Sequence, residues 1–155
     1  MDRAVLSFVS GAGRREENIR RAVRAVERLP ATTVIAQSDL FGGDPQSAPQ
    51  EPDCTVICAV VLTGMSPCAL SGACKGIAAA VGPEPDSDPA DRPAAVDIGL
   101  LVYEGTVCRT DEMTLPNGGL LRRPEIRRAV TDIFKDGKVL DFSLPRIGKR
   151  ESTAS

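Results

Sequence analysis

The chain has 155 residues, 42% of them hydrophobic and 26% charged, with a formal net charge of −2. That is enough chain for one soluble domain with a sizeable core, and its charge gives no reason to expect a nucleic-acid partner. Histidine and tryptophan are absent and only one tyrosine and four phenylalanines are present, which removes the commonest general base and zinc ligand and leaves few rings to stack a planar ligand.

Ala4 to Val9 is a short apolar run broken at Gly11-Ala12-Gly13, the pattern of a strand followed by a tight turn. The turn lacks P-loop or dinucleotide spacing and reads as a plain turn. From Glu16 the period changes: Ile19, Ala22, Val23, Val26 and Leu29 recur at helical spacing, with arginines and glutamates between them. Glu16 and Glu17 favour the positive helix end, Pro30 stops the helix, and its arginines read as a solvated face. Thr32 to Ala36 is β-branched and predicts a second strand. Residues 42–53, rich in Gly, Pro, Asp and Gln, read as a loop.

Thr55 to Leu62 is nearly continuous in apolar character, as in a central strand covered on one or both faces. Ser66-Pro67 supplies an N-cap and a first-turn proline for a helix running to about Val81, with Gly82 as its stop. Gly72 and Gly76 either weaken that helix or let it approach the sheet closely. Residues 82–95 contain four prolines, three aspartates and one glutamate and read as an exposed loop. A strand over Val96–Tyr103 and a short return strand over Thr106–Arg109 follow, then a loop from Met113 to Gly119. A final helix is predicted from Pro124 to Phe134, with Ile126, Ala129, Val130 and Ile133 on one side. Asp136-Gly137 makes a turn, Val139 to Leu144 a last short strand, and Lys149–Ser155 a disordered tail behind a single domain over residues 1–148.

The order β-α-β-β-α-β plus a C-terminal helix predicts an α+β fold, a ferredoxin-like α/β sandwich with helices packed on one face of a mainly antiparallel sheet. No apolar run approaches the roughly 20 residues that cross a bilayer, and no signal-peptide pattern precedes the first strand, so no membrane association and a cytoplasmic location are expected. The five cysteines (Cys54, Cys58, Cys68, Cys74 and Cys108) sit mostly in apolar runs without tight Cys-x-x-Cys spacing. They read as structural thiols in preference to metal or redox groups.

The stretch Arg92-Pro93-Ala94-Ala95-Val96-Asp97-Ile98-Gly99, followed by the apolar run Leu100 to Tyr103, resembles the signature of the 6-hydroxymethyl-7,8-dihydropterin pyrophosphokinases. That signature is Gly-Pro-Arg-Thr-hydrophobic, then Asp-hydrophobic-Asp and an apolar strand. Phe8 to Ile19 is similar to the family's first strand, its Gly-Ser-Asn-Leu-Gly-Asp turn and the start of its first helix. Ser38-Asp39-Leu40-Phe41, Gln50-Glu51-Pro52-Asp53, Ser66-Pro67 and Thr114-Leu115-Pro116 resemble further family motifs in the family's order. The likeness spans roughly residues 4 to 142. It implies a folate-biosynthesis transferase that binds ATP, two magnesium ions and a pterin, and moves pyrophosphate to the pterin's hydroxymethyl oxygen. Catalysis of that kind is positioning and charge neutralisation around phosphates.

Set on the family pattern, many of the implied ligands are replaced. Gly99 stands at the second magnesium-binding acid and Ala94 at the signature arginine. Cys54 stands at the pterin-stacking ring, Val56 at the pterin-binding asparagine, Glu125 at the opposing ring and Asn117 at the histidine. The helix acid near the nucleotide is replaced within Ile77-Ala78, Pro83 stands for an arginine and Asp91 for the loop tryptophan. The interval that is basic in the family contains Glu84, Asp86, Asp88 and Asp91 against Arg92. Like charges 4 Å apart repel by about 1 kcal/mol in water and about 4 kcal/mol at an effective dielectric of 20.

What survives is Asp97, the candidate metal ligand, with Asp97 and Arg123 as remnant catalytic candidates and Arg122 and Arg123 as candidate ATP contacts. The blander reading makes Asp97 a strand-end acid capping backbone amides and the arginines a solvated pair. Three functions stay open. One is an inactive or strongly impaired pyrophosphokinase relative, a pseudoenzyme that binds ATP or a pterin weakly or assembles with a protein partner of the folate pathway. Another is an active, divergent pyrophosphokinase that needs ATP and magnesium. The third is a ferredoxin-like interaction domain with no cofactor. The acidic loop and the missing acid favour the first over the second, and nothing in the sequence separates the first from the third.

Overall fold

In a computed structural model the structure describes residues 1–11, 14–42, 54–81, 95–135 and 151–152. Its centre is a pair of nine-residue strands, β1 (Asp2–Ser10) and β4 (Thr55–Thr63). They pair antiparallel along their whole length, from Asp2 opposite Thr63 to Ser10 opposite Thr55. Strand β5 (Asp97–Tyr103) lies outside β1, and β2 (Thr32–Gln37) lies outside β4. The two-residue β3 (Phe41–Gly42) continues the β2 side along the other end of β4. The order β2-β4-β1-β5, antiparallel throughout, is the expected ferredoxin-like α+β arrangement.

Period two in an unbroken apolar strand puts hydrophobic side chains on both faces, and both are covered. Ala4, Leu6 and Phe8 of β1 join Ile57, Ala59 and Val61 of β4 on one face. Against them pack α1 (Arg15–Glu27), through Ile19, Ala22, Val23 and Val26, and α2 (Pro67–Val81), through Leu70 and Cys74. Val5, Val56, Cys58, Val60, Leu101 and Val102 form the opposite face, under α4 (Pro124–Lys135) with Ile126, Ala129 and Ile133. The expectation of helices on one face is thus extended by α4, which takes the second apolar face of β4.

The helix starts follow their sequence signals. Pro67 opens α2, and the Ala69 N–H donates to Ser66 Oγ at 3.2 Å. α1 has no side-chain cap at Arg14 and carries Glu16 and Glu17 in its first turn. Register at the β2 end is pinned by the Thr32 and Thr63 hydroxyls, 2.8 Å apart. Gly105, at φ +72°, closes the turn from β5 into β6 (Val107–Arg109), in the left-handed region that favours glycine.

The stretch expected as a loop from Met113 to Gly119 contains β7 (Thr114–Leu115) and the start of the four-residue helix α3 (Gly118–Leu121). The missed signal is Asn117, whose Oδ1 accepts from the Leu120 N–H at 3.1 Å as an N-cap. β7, β6 and β8 (Glu151–Ser152) form a second small sheet, with β8 parallel to β6. The expected strand over 139–144, the turn at Asp136-Gly137, the expected loops over 42–53 and 82–95 apart from Gly42 and Ala95, and the rest of the expected tail lie outside the described residues. No described helix is long and apolar enough to cross a membrane.

A Cβ placed on Gly72 or Gly76 meets nothing within 4 Å. These glycines therefore weaken α2 and serve no close approach to the sheet. Gly72→Ala and Gly76→Ala are each expected to stabilise the protein by about 0.5–1 kcal/mol, seen as a raised urea midpoint with an unchanged m-value.

Burial also pushes the Cys58 thiol from 9.0 up to about 12 and Cys74 up to about 11. The unfolded chain then loses these protons first, so their contribution is whole below pH 9.0 and disappears as pH rises toward 11–12. The expected decline is at most about 1.4 kcal/mol per pH unit for each thiol. Urea titrations across that range should show it, and the double variant Cys58→Val, Cys74→Ala should flatten it.

Candidate functional site

One end of the main sheet gathers the candidate residues. Here β1 ends at Ser10, β4 begins after Cys54, β5 begins at Asp97, and α1 and α4 start at Arg15 and Pro124. Val9 pairs with Asp97 on one side and with Val56 on the other, so these three side chains share a rung on the face covered by α4. The next rung on that face is Gly99, Ser7 and Cys58.

The entry to β5 is fastened from below. Ser10 Oγ donates to the Ala95 carbonyl at 2.5 Å, and Asn18 Nδ2 reaches Ser10 Oγ and the same carbonyl, each at 3.4 Å. These buried groups tie the chain two residues before Asp97 to the end of β1 and the second turn of α1. Sequence reading missed them. The available signal was a polar Asn18 beside Ile19 on the apolar stripe of α1.

Asp97 itself is exposed, and its carboxylate has no hydrogen-bond or ion-pair partner among the described residues. It therefore caps no backbone amide there. Arg122 is exposed and is the C-cap residue of α3. Arg123 is tied down: Nη2 lies 3.6 Å from Cys54 Sγ, and Nε lies 3.9 Å from Glu125 Oε2. Among the described residues no ion pair joins Asp97 to either arginine. Burial raises the Cys54 thiol and Glu125 adds to this, against the opposing pull of Arg123 and Arg15. Cys54 is thus held as a neutral thiol, a weak nucleophile.

Around these groups the surface is filled. Val56 is fully buried, and Leu120 and Leu121 of α3 pack on the same cluster. A Cβ on Gly99 would lie 2.5 Å from Leu120 Cδ1 and 2.8 Å from Ser7 Oγ. α3 thus puts a leucine over the position where a second acid would project. Two open grooves, of about 630 and 430 Å³, lie elsewhere, and neither is lined by Asp97, Arg122 or Arg123.

The sheet thus sets Asp97 at the head of the strand beside β1, with Arg122 and Arg123 in the link between α3 and α4. Residues 5–135 match the family model of 7,8-dihydro-6-hydroxymethylpterin-pyrophosphokinase, and the chain belongs to that family. It is also similar to the folic acid synthesis protein fol1 of Schizosaccharomyces pombe, 26% identical over 133 residues. That match covers 86% of this chain and 18% of the yeast protein. The likeness read from the motifs is therefore borne out.

Members of the family bind ATP, magnesium and a pterin, so the donor set can be tested against those groups. Magnesium takes octahedral oxygen coordination, commonly with two carboxylates and substrate phosphates. Among the described residues no group of three or more His, Cys, Asp or Glu side chains could hold a metal ion. Asp97 belongs to no such group, and Gly99, two positions on, lies beneath Leu120. A pterin needs an aromatic face and an amide or carboxylate for its ring nitrogens, whereas Cys54 and the buried Val56 offer neither. The described residues do not fit the family's ligands.

Gly99→Asp is expected to destabilise the protein by about 1–3 kcal/mol, the usual cost of overpacking, with an added penalty for a carboxylate between Ser7 and Leu120. Thermal melts of Gly99→Asp, Leu120→Ala and the double variant check this. The double variant should cost less than the sum of the single changes.

Proposed function

We propose that this protein is a pyrophosphokinase-family member of folate biosynthesis that does not transfer pyrophosphate at an appreciable rate, and that it serves as a cytoplasmic binding or assembly protein. The single observation that carries the reading is Leu120 lying over Gly99, so that one carboxylate remains where two would share magnesium. The buried Val56 and the thiol of Cys54 support it from the pterin side. Arg123, the remnant catalytic and ATP-binding candidate, spends its guanidinium on Cys54 and Glu125.

Phosphoryl-type transfer depends on neutralising charge in a preorganised site. A lone exposed Asp97 and a solvated Arg122 supply too little of that. The residue set retains, at most, weak affinity for ATP or a pterin. The exposed Asp97, without a partner among the described residues, favours a second reading, an active but divergent pyrophosphokinase that uses ATP and magnesium.

The test is AMP formation from ATP and 6-hydroxymethyl-7,8-dihydropterin with magnesium, at high protein concentration. No turnover above the protein-free rate is expected. Turnover that Asp97→Ala abolishes would establish the second reading. Thermal shifts separate binding from catalysis, because a ligand specific to the native state raises its stability. The pterin is expected to give no shift, and a shift with magnesium-ATP alone would report a surviving nucleotide site.

A further inference from the structure

The larger of the two grooves, of about 630 Å³, runs between α4 and the stretch that links β2 to β3. Its helix wall carries Arg127 and Arg128 one turn after Pro124, the spacing that sets the three on one side of a helix. Its other wall carries Asp39 and Phe41, and Phe41 packs, partly buried, on the core beneath α4.

The charges of this groove are kept apart. Asp132 lies four residues after Arg128, the spacing at which opposite charges on a helix pair. Instead its Oδ2 accepts the Asp39 N–H at 2.8 Å, a bond that ties α4 to the β2–β3 link. Among the described residues neither Arg127 nor Arg128 forms an ion pair, and the Asp39 carboxylate across the groove forms none. All three are exposed. Two guanidinium groups thus stand on one wall and a carboxylate and a ring on the other, with open space between.

We propose that this groove binds a small zwitterion with an aromatic body, of the amino-acid class. Its carboxylate lies at Arg127 and Arg128, its ammonium at Asp39, and its ring against Phe41 and Pro124. Guanidinium groups present planar donors that match a carboxylate, and a ring on Phe41 gains contact area. A ligand of one charge leaves a wall unanswered, since an anion faces Asp39 and a cation faces two arginines. The volume falls in the usual range of small-molecule sites, about 300–1,000 Å³. The groove shares no lining residue with the candidate site at Asp97, Arg122, Arg123 and Cys54, so this inference stands apart from the catalytic reading.

Amide NMR titration of the full chain tests it, with phenylalanine, hydrocinnamate (which lacks the ammonium) and phenethylamine (which lacks the carboxylate) as probes. Phenylalanine at millimolar concentration should shift the amides of Phe41, Arg127 and Arg128 saturably. Arg127→Gln and Arg128→Gln, at exposed positions that leave the rest of the spectrum in place, should each weaken it by at least about threefold. Asp39→Asn should weaken phenylalanine but not hydrocinnamate. Arg21→Gln, on the exposed side of α1, should change nothing. The absence of a saturable shift with phenylalanine overturns the proposal. So does hydrocinnamate or phenethylamine binding as tightly as phenylalanine, or an affinity that both arginine variants leave intact.

Discussion

The pairing of β1 with β4 is the constraint from which the rest follows. Nine rungs in unbroken register decide which side chains face α1 and α2 and which face α4. A slip of one residue would turn Phe8, Leu6 and Ile57 out of one layer and move Ser7 and Cys58 into it. Two apolar faces resist that slip together, because each holds the register that the other needs. The bulge at Val5/Leu6 against β5 then resets the phase, so Leu101 and Val102 both join the layer beneath α4 and Tyr103 returns to the other.

The candidate site inherits its geometry from the same ladder. Val9, Val56 and Asp97 meet because their strands are held in that register, and Asn18 and Ser10 fix the chain entering β5. The frame for a ligand site is therefore well built. What stands on it is mostly apolar: Val56 and Ile126 are buried, and the partly buried Leu120 and Leu121 pack against them. A hollow of polar groups aimed at a ligand is costly without that ligand, whereas apolar side chains packed there add to stability.

Much of this was legible in the sequence because strong periodicity and tertiary burial agree. The stripe of α1, the Ser66-Pro67 start of α2 and the run from Thr55 each carried a signal of the right period, and each formed as read. The motifs also revealed the family. α3 was not legible, since Gly118-Gly119 reads as a loop and only the cap at Asn117 and packing of Leu120 and Leu121 make it a helix. β3 is too short to show a period and exists because β4 offers it two residues to pair with. The occlusion of Gly99 was invisible for a different reason. It depends on a contact between residues 99 and 120, which no local pattern encodes.

Burial also explains why one acid is present and its neighbour is not, without appeal to retained chemistry. Asp97 lies at the exposed head of β5, where a carboxylate keeps its water and costs the fold little. Two residues on, the chain has passed under α3, and a side chain at position 99 would stand between a buried Ser7 and Leu120. A side chain there is crowded by the end of the Leu120 side chain, and glycine is the residue that fits without a shift. Packing accounts for glycine at 99 and exposure for the acid at 97, and neither residue by itself decides catalysis.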